Sequence, residues 1–337
     1  MLSFNKKAYA GFLVLFIFAV AVMSGCGTNQ AAHSTNELSA EQARETIRIG
    51  YINILAMAPA IIAEKQKLME EQGLKAEFYS FANGLELNEA LTSGRLDIAY
   101  SGLPVAVRWS SRGAEIEIIA KVGEGKFGLL AQQDPADAEP FDWEGKKIGY
   151  IGKGTGSDIL IRGFLLPDEG LIETSVQLVK MEMASMEQAI LSGTVDAALS
   201  GEPFVTLAEL RELKVVSELP EPAVVVLAHK SFTADHPDLV AKFMIGHKAA
   251  ISYLNDNAKD AAEVLAKFFN IPAIEAQSKT WTPQDVMAKA LLKQRYEAEF
   301  SEEDYLFYQQ LANANYQLKM INEPFDIKAI MNLTWIE

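Results

Sequence analysis

The sequence predicts an α/β protein of two similar lobes, each a mixed sheet flanked by helices, followed by a helical C-terminal region. Three observations lead to this prediction. Strand-like and helix-like segments alternate over the first two thirds of the chain, one long motif occurs twice, and the last third is almost wholly helical in pattern. Alternation of this kind is typical of βαβ units, in which helices pack on the faces of a sheet.

The alternation begins at residues 47–52 (IRIGYI), a short apolar strand candidate, and Pro59 then opens a helix that is predicted to end at Gly73. Residues 74–81 alternate apolar and polar side chains, as a half-buried strand does. A second helix (ELNEALTSG), the strand LDIAYSG, the helix PVAVRWSSRG and the strands EIEIIAKVG and KFGLLAQ follow. Together these segments form the first predicted unit.

A repeat then predicts a second unit of the same kind. The segment NEALTSGRLDIAYSGLP (residues 88–104) recurs as EQAILSGTVDAALSGEP (residues 187–203), and IGYI at residues 49–52 recurs at residues 148–151. Both matches have the same offset of 99 residues. Two separate matches at one offset are not expected by chance, so the chain is predicted to contain two lobes of similar structure.

The boundaries of the lobes are predicted from composition. The Pro- and Asp-rich stretch QDPADAEPFDWEG precedes the second IGYI and is the first predicted boundary, and residues 223–229 are predicted to be the return crossing. From His236 onward apolar residues recur at helical spacing. The first lobe is therefore predicted to comprise residues 47–130 and 223–337, and the second residues 131–222. Hinges are expected near residues 122–128 and 221–228.

The N-terminus predicts export and membrane attachment. Lys6 and Lys7 precede an apolar run shorter than the ~20 residues that a membrane-spanning helix needs, which is the pattern of a secretory signal. The sequence MSGC places small residues directly before Cys26, as in a bacterial lipobox. Residues 1–25 are thus predicted to be a lipoprotein signal peptide, Cys26 the lipidated residue, and residues 26–46 a flexible tether on the extracytoplasmic face of the cell membrane.

Composition argues against several classes of function. The formal net charge of −15 opposes binding to nucleic acid, whose phosphates require a basic surface. Cys26 is the only cysteine, so the rest of the chain offers neither a disulfide nor a cysteine nucleophile. The four histidines show no metal-binding spacing. We therefore expect no catalytic site, no metal and no cofactor.

The order of the motifs resembles that of the substrate-binding proteins of ABC importers of the nitrate/sulfonate/taurine type. The sequences IRIGYI, F-x-x-G (residues 81–84), EALTSGRLDIAYSGLP, WEGKKIGYIGKGTGSD and AILSGTVDAALSGEPF follow in the family's order, and the resemblance is strongest over residues 47–213. It implies the periplasmic-binding-protein-like fold of type II, whose two lobes close like a Venus flytrap on a small-molecule ligand. It also implies a monomer that delivers this ligand to a permease with its ATPase.

The predicted site lies in the crevice beyond the carboxyl ends of the strands, where open α/β sheets bind ligands. The predicted ligand-binding residues are Asn53, Leu55, Met57, Phe81, Asn83, Gly84, Ser101 and Gly102 in the first lobe, and Thr155, Gly156, Ser157, Asp158, Glu182, Ser200 and Glu202 in the second. In the segment GKGTGSD, glycines and free backbone amides favour an oxyanion, while Thr155 and Ser157 either cap the next helix or bind the ligand. The three carboxylates either bind the amino group of a zwitterion such as taurine, or pair with Lys or Arg, or cap helices.

The sequence leaves the ligand class and one alternative function open. The predicted ligand is a small organic anion or zwitterion of the aliphatic sulfonate, taurine or nitrate class. Carboxylates in the crevice oppose nitrate, a simple anion, and favour aminosulfonates, alkanesulfonates or, as the alternative, pyrimidine-type vitamin precursors. An enzyme on the same two-lobe fold is the alternative of a different class, with Glu182 and Glu202 as a candidate acid/base pair. A receptor that presents its ligand to a sensor kinase is a further alternative.

Overall fold

Two mixed β-sheets organise the protein in the computed structural model, which describes residues 46–132 and 140–336. The first sheet has six strands and the second has five. Each sheet is covered by helices and has its own apolar core. The predicted signal peptide, Cys26 and all of the predicted tether except Thr46 lie outside the described residues. No helix within residues 46–132 and 140–336 is both long and apolar enough to span a membrane.

The first lobe begins with alternating strands and helices. Its elements are β1 (Thr46–Ile52), α1 (Ala58–Lys65), β2 (Lys75–Phe81), α2 (Gly84–Thr92), β3 (Ile98–Gly102), α3 (Leu103–Ser110) and β4 (Ile116–Glu124). Strand β1 pairs in parallel with both β2 and β3. The helix predicted to run from Pro59 to Gly73 is shorter, because the chain turns at Lys67, whose φ of 56° is incompatible with a right-handed helix.

The second lobe repeats this arrangement. Its elements are β5 (Lys126–Ala131), β6 (Lys147–Tyr150), α4 (Gly156–Leu160), a π-helical turn (Ile161–Leu165), α5 (Leu166–Asp168), β7 (Gln177–Lys180), α6 (Met183–Leu191), β8 (Ala197–Ser200), α7 (Phe204–Leu210) and β9 (Lys214–Pro220). The strand order is β7-β6-β8-β5-β9, with β6 parallel to β7 and β8, and β5 antiparallel to β8 and β9.

The chain then returns to the first lobe and becomes mostly helical. The remaining elements are β10 (Val224–His229), α8 (Lys230–Asp235), α9 (Pro237–Asp256), α10 (Ala258–Phe268), β11 (Ile274–Ala276), β12 (Lys279–Trp281), α11 (Pro283–Leu291), β13 (Arg295–Tyr296) and α12 (Glu302–Gln317). Strand β10 lies between β3 and β4 and is antiparallel to both, and β13 pairs with the far side of β4. The helical pattern thus missed the three short strands β11, β12 and β13.

The sequence repeat corresponds to a repeated contact. The carboxylate of Asp97 accepts a hydrogen bond from the backbone N–H of Arg48 at 2.8 Å, and that of Asp196 accepts one from Lys147, also at 2.8 Å. Each aspartate joins the start of one parallel strand to the start of its neighbour, β1 to β3 and β6 to β8. The aspartate shared by the two motifs therefore has the same structural role in both lobes.

The predicted boundary between the lobes was misplaced at its first crossing. Strand β5 pairs with β8 and β9, so residues 126–130 belong to the second lobe and the chain crosses at Gly125. The described end of the Pro- and Asp-rich stretch, residues 140–145, leads directly into β6 and therefore belongs to the second lobe. The sequence pattern of β5 is that of a buried strand in either sheet, and it carries no information on which strands it pairs with. The chain returns at residues 221–223, within the hinge expected at residues 221–228, whereas residues 224–229, which were predicted to belong to the crossing, form β10 of the first sheet.

Candidate ligand-binding site between the lobes

A cavity of about 300 Å³ lies between the two lobes. Its walls come from segments that follow β1, β2 and β3 in the first lobe and β6 and β7 in the second, together with the return crossing. The cavity thus occupies the crevice beyond the carboxyl ends of the parallel strands, as expected for sheets of this topology. Its volume is at the lower end of the range for small-molecule sites.

Ten of the predicted residues line this cavity. They are Asn53, Met57, Phe81, Asn83, Gly84, Gly102, Thr155, Gly156, Ser157 and Glu182. The first turns of α2 and α3 begin at Gly84 and Leu103, so two helix N-termini border the cavity from the first lobe. The side chain of Asn83 caps α2, since its Oδ1 accepts hydrogen bonds from the backbone N–H groups of Leu85 and Glu86 at 3.0 and 3.1 Å. Asn83 therefore shapes the wall of the cavity with its side-chain oxygen already engaged.

The hydroxyl groups of Thr155 and Ser157 stabilise the glycine-rich turn. Thr155 Oγ1 donates a hydrogen bond to the carbonyl oxygen of Gly152 at 2.7 Å, and Ser157 Oγ accepts one from the N–H of Ile151 at 3.1 Å. The two hydroxyls also lie 2.9 Å apart. Neither side chain caps α4, which was one of the two roles considered for them. Their internal bonds hold the turn in place beside the cavity.

Five predicted residues do not line the cavity. They are Leu55, Ser101, Asp158, Ser200 and Glu202. Leu55 and Ser200 are fully buried, and Ser101 Oγ accepts a hydrogen bond from Asn88 Nδ2 at 2.6 Å. These residues stand at the ends of the expected strands, but their side chains point into the packed interior. The end of a strand contributes both inward and outward side chains, and the sequence does not distinguish the two at a turn.

Asp158 and Glu202 are buried in ion pairs. Asp158 contacts Arg162 through two short hydrogen bonds, 2.6 and 2.7 Å, and also accepts the N–H of Gly154. Glu202 lies 2.8 Å from Lys293 Nζ, and burial raises the pKa of its carboxyl group. The amino-group binding predicted for these two residues is therefore not supported, and the alternative, pairing with Lys or Arg, describes them. Of the three carboxylates, Glu182 alone lines the cavity, at the start of α6.

The sequence analysis missed most of the apolar lining and a further acid. The apolar side chains that it missed are Ile52, Ile54, Ala82, Val105, Phe127, Ile151, Met183, Ala184, Phe204, Pro222 and Val224. The missed acid is Glu221, which lies on the return crossing between Pro220 and Pro222. A charged residue between two prolines, in a segment already predicted to be a hinge, was a signal that could have identified it.

The carboxyl group of Glu221 has an unusual environment. The residue is only 6% exposed, and no hydrogen bond or ion pair engages its carboxyl group among the residues that the structure describes. Burial, with a smaller contribution from the negative charge of Glu202, raises its pKa to about 8. Within residues 46–132 and 140–336, the ionisable side chains of the lining are Glu182 and Glu221, and no Lys, Arg or His contributes to it. The described part of the chain also holds no cluster of His, Cys, Asp or Glu suited to a metal ion.

Direct contacts join the lobes around the cavity. Arg108 Nη1, on α3, donates a hydrogen bond to the carbonyl oxygen of Gly154 in the glycine-rich turn at 2.7 Å. The N–H of Leu55 donates to the carbonyl oxygen of Glu202 at 3.3 Å, and Lys293 of the first lobe reaches Glu202 of the second. The cavity is thus enclosed by both lobes in this structure.

We expect Gly156→Ala to weaken ligand binding by about tenfold or more, because a Cβ atom at this position would lie only 2.4 Å from Pro222 Cγ. Gly102→Ala is the comparison, because Gly102 also lines the cavity but its Cβ would meet the nearest atom, the carbonyl oxygen of Pro222, only at 3.9 Å, so we expect a smaller loss of affinity. Isothermal titration with a bound ligand measures both variants. Equal affinity of Gly156→Ala and Gly102→Ala would show that the glycine turn does not need this close approach.

Residues 40–270 match the NMT1-like family over more than half of the chain. The chain belongs to this family. A putative aliphatic sulfonates-binding protein of Bacillus subtilis (strain 168) is 22% identical, over 96% of this chain and 95% of that protein. The alkanesulfonate-binding protein SsuA of Xanthomonas axonopodis pv. citri, solved with bound MOPS, superposes with a TM-score of 0.71 at 18% identity and covers 86% of this chain and 99% of its own.

Another protein similar to this chain is named as an enzyme. The 4-amino-5-hydroxymethyl-2-methylpyrimidine phosphate synthase of Aspergillus parasiticus is 24% identical over 58% of this chain and 62% of its own length. These findings confirm the resemblance to substrate-binding proteins of the sulfonate/nitrate type and the two-lobe α/β fold of periplasmic binding proteins.

Proposed function

We propose that this protein is a lipid-anchored, extracytoplasmic solute-binding protein that captures a small organic molecule between its lobes and delivers it to an ABC importer. The observation that carries the proposal is the cavity enclosed by both lobes at the carboxyl ends of their strands. The similar proteins of Bacillus subtilis and Xanthomonas axonopodis are named as sulfonate-binding proteins, which supports the proposal. Lipidation of Cys26, delivery to a permease with its ATPase, and a monomeric state are parts of this proposal.

The lining favours some of the candidate ligands over others. No basic side chain of the described part of the chain reaches the cavity, so a sulfonate group would depend on backbone amides and on the N-termini of α2 and α3. Glu182, and Glu221 when its carboxyl group is ionised, would repel a simple anion such as nitrate and would attract an amino group. We therefore propose a zwitterion of the taurine class, or an organic sulfonate with an apolar body, as the ligand.

A pyrimidine-type vitamin precursor is the second candidate. The aromatic side chains Phe81, Phe127 and Phe204 line the cavity and suit a planar ring. The similarity to a protein named as a pyrimidine phosphate synthase supports the same candidate. The enzyme alternative receives less support, because Glu202 is paired with Lys293 and does not line the cavity with Glu182.

The proposed mechanism is a shift of conformational populations. A ligand that contacts both lobes stabilises the enclosed arrangement relative to open forms, and it can shift this equilibrium only by its difference in affinity for the two. Bending at Gly125 and at residues 221–223 would open the cavity. The closed form would present the surface that the permease recognises, with no chemical change to the ligand.

A thermal-shift screen of the full-length protein in mild detergent tests the proposal. The panel holds nitrate, taurine, alkanesulfonates, aromatic sulfonates and 4-amino-5-hydroxymethyl-2-methylpyrimidine. A ligand at a hundred times its Kd should stabilise the protein by about 2.7 kcal/mol and raise Tm by roughly 4 °C. Gly156→Ala, which narrows the cavity, should reduce the shift. Stabilisation by nitrate alone would contradict the ligand class, and no stabilisation by any compound would contradict capture of these solutes.

A further inference from the structure

Glu221 occupies a position between the two lobes that backbone hydrogen bonds define in the enclosed arrangement. Its backbone N–H donates a hydrogen bond to the carbonyl oxygen of Gly125 at 2.9 Å, which ties the return crossing to the first crossing. Its carbonyl oxygen accepts the N–H of Ala223 at 2.7 Å, and Pro220 and Pro222 flank it in sequence. These bonds and the neighbouring prolines restrict the backbone, so the position of the side chain at the cavity does not depend on a flexible loop.

The carboxyl group at this position has no partner. Buried carboxyl groups are usually hydrogen-bonded or ion-paired, because removal from water costs several kcal/mol without such a partner. Asp158 and Glu202 follow this rule through Arg162 and Lys293. Glu221 is also buried, with 6% of its surface exposed, lines the cavity, and has no hydrogen-bond or ion-pair partner within residues 46–132 and 140–336. An unpartnered acid that faces a ligand-sized cavity indicates a partner on the ligand.

The electrostatic surroundings define the chemistry of that partner. Glu182 also lines the cavity, Glu202 adds negative charge near Glu221, and the cavity has no cationic side chain from the residues that the structure describes. Lys293 is paired with Glu202 and Glu209. A positively charged nitrogen on the ligand would therefore find a favourable potential and an unoccupied acceptor at one point of the cavity.

We propose that Glu221 binds a protonated amine of the ligand, while the apolar remainder packs against Phe81, Phe127 and Phe204. This inference rests on the proposed function and narrows its ligand to small organic ammonium compounds, including zwitterions. The ion pair with Glu221 would form at the return crossing, where it contacts the segment that connects the lobes. Cations held over aromatic side chains gain further attraction from the ring faces.

The arrangement also predicts that binding depends on pH. Because the pKa of Glu221 is raised to about 8, its carboxyl group is mostly protonated at pH 6 and must lose a proton to pair with an ammonium group. The other groups that act on it are Glu202, which is paired with Lys293, and Tyr296, whose phenol pKa is itself raised far above its ordinary value. Alkylamines stay protonated up to pH 8, so their affinity should rise by about tenfold for each pH unit below the pKa of Glu221.

Matched pairs of compounds test the inference by isothermal titration of the full-length protein in mild detergent at pH 6, 7 and 8. The pairs are taurine with propane-1-sulfonate and benzylamine with benzyl alcohol, which differ at the nitrogen position alone. We expect at least one amine to bind ten or more times tighter than its partner, with affinity rising by about tenfold from pH 6 to pH 7. Glu221→Gln should remove both the preference and the pH dependence. Glu218→Gln, an exposed position on β9 outside the cavity, should retain them.

Each other outcome has a separate meaning. Equal or tighter binding of the compounds without nitrogen, unchanged in Glu221→Gln, would overturn the role of Glu221 and leave the proposed solute-binding function intact. A preference for amines that survives in Glu221→Gln would also overturn it. Binding of none of the amines would overturn the ammonium ligand, and the wider panel of solutes would then decide the proposed function independently.

Discussion

The Glu221→Gln variant should become more stable relative to the wild-type protein as pH rises. From pH 5 to pH 8, the free energy of unfolding of the variant minus that of the wild-type protein should increase by about 4 kcal/mol at most. In the folded protein burial raises the pKa of Glu221 from an ordinary value near 4.5 to about 8. Between these two values the unfolded chain releases its proton and the folded protein keeps it. The wild-type protein therefore loses stability as pH rises through this window, and glutamine, which does not titrate, removes that loss.

Denaturant unfolding followed by tryptophan fluorescence at pH 5, 6, 7 and 8 measures the effect. Glu218→Gln is the matched control, because Glu218 is about half exposed and pairs with Lys126 at the surface. Its stability profile should run parallel to that of the wild-type protein. Parallel profiles of the wild-type protein and Glu221→Gln would instead mean that Glu221 titrates normally in the folded state.

Asp158→Ala should lower the free energy of unfolding by about 3 kcal/mol. Asp158 is fully buried and accepts three hydrogen bonds, two from Arg162 and one from the N–H of Gly154. Without it the guanidinium of Arg162, which is 7% exposed, keeps only Glu173 at 3.2 Å. A buried cation that loses its main partner is strongly destabilising, and the N–H of Gly154 loses its acceptor as well.

Two comparisons separate this effect from a general loss of charge. Glu263→Ala breaks the exposed pair with Lys267 and should cost less than about 0.5 kcal/mol. The double variant Asp158→Leu with Arg162→Met removes both buried charges and should recover much of the stability, because apolar side chains of similar size often replace buried pairs without loss. A cost for Asp158→Ala as small as that for Glu263→Ala would contradict the buried pairing.

Local sequence patterns predicted the strands and helices, but they did not predict contacts between segments that are distant in sequence. Alternation and the repeat predicted β1, β3, β6 and β8, because these strands carry their own apolar pattern and their shared aspartate. The assignment of β5 failed because pairing partners leave no local signal. The Asp158–Arg162 pair could have been predicted from the sequence, because side chains four residues apart along a helical segment lie on the same face.

The same distinction explains what the sequence revealed of the candidate site. Strand ends such as Asn53, Phe81 and Gly102 follow from topology, since parallel strands end at one edge of their sheet. The pairing of Glu202 with Lys293 joins residues far apart in sequence, and no motif marks it. Glu221 lies on a crossing and not at a strand end, so a search along the carboxyl edges passed over it. The ligand-binding role of the whole set remains a prediction.

The two crossings also bear on how such a chain arises and folds. In each sheet, the fourth strand is formed by the segment that follows directly after the chain has left the other sheet. This strand is β10 in the first sheet and β5 in the second. One copy of the repeat on its own could complete a sheet only by exchanging this strand with a second copy. The molecule is thus equivalent to a strand-exchanged dimer that has been fused into a single polypeptide. Neither half can be expected to assemble independently, and cutting the chain between the repeats should yield fragments that fold only when mixed.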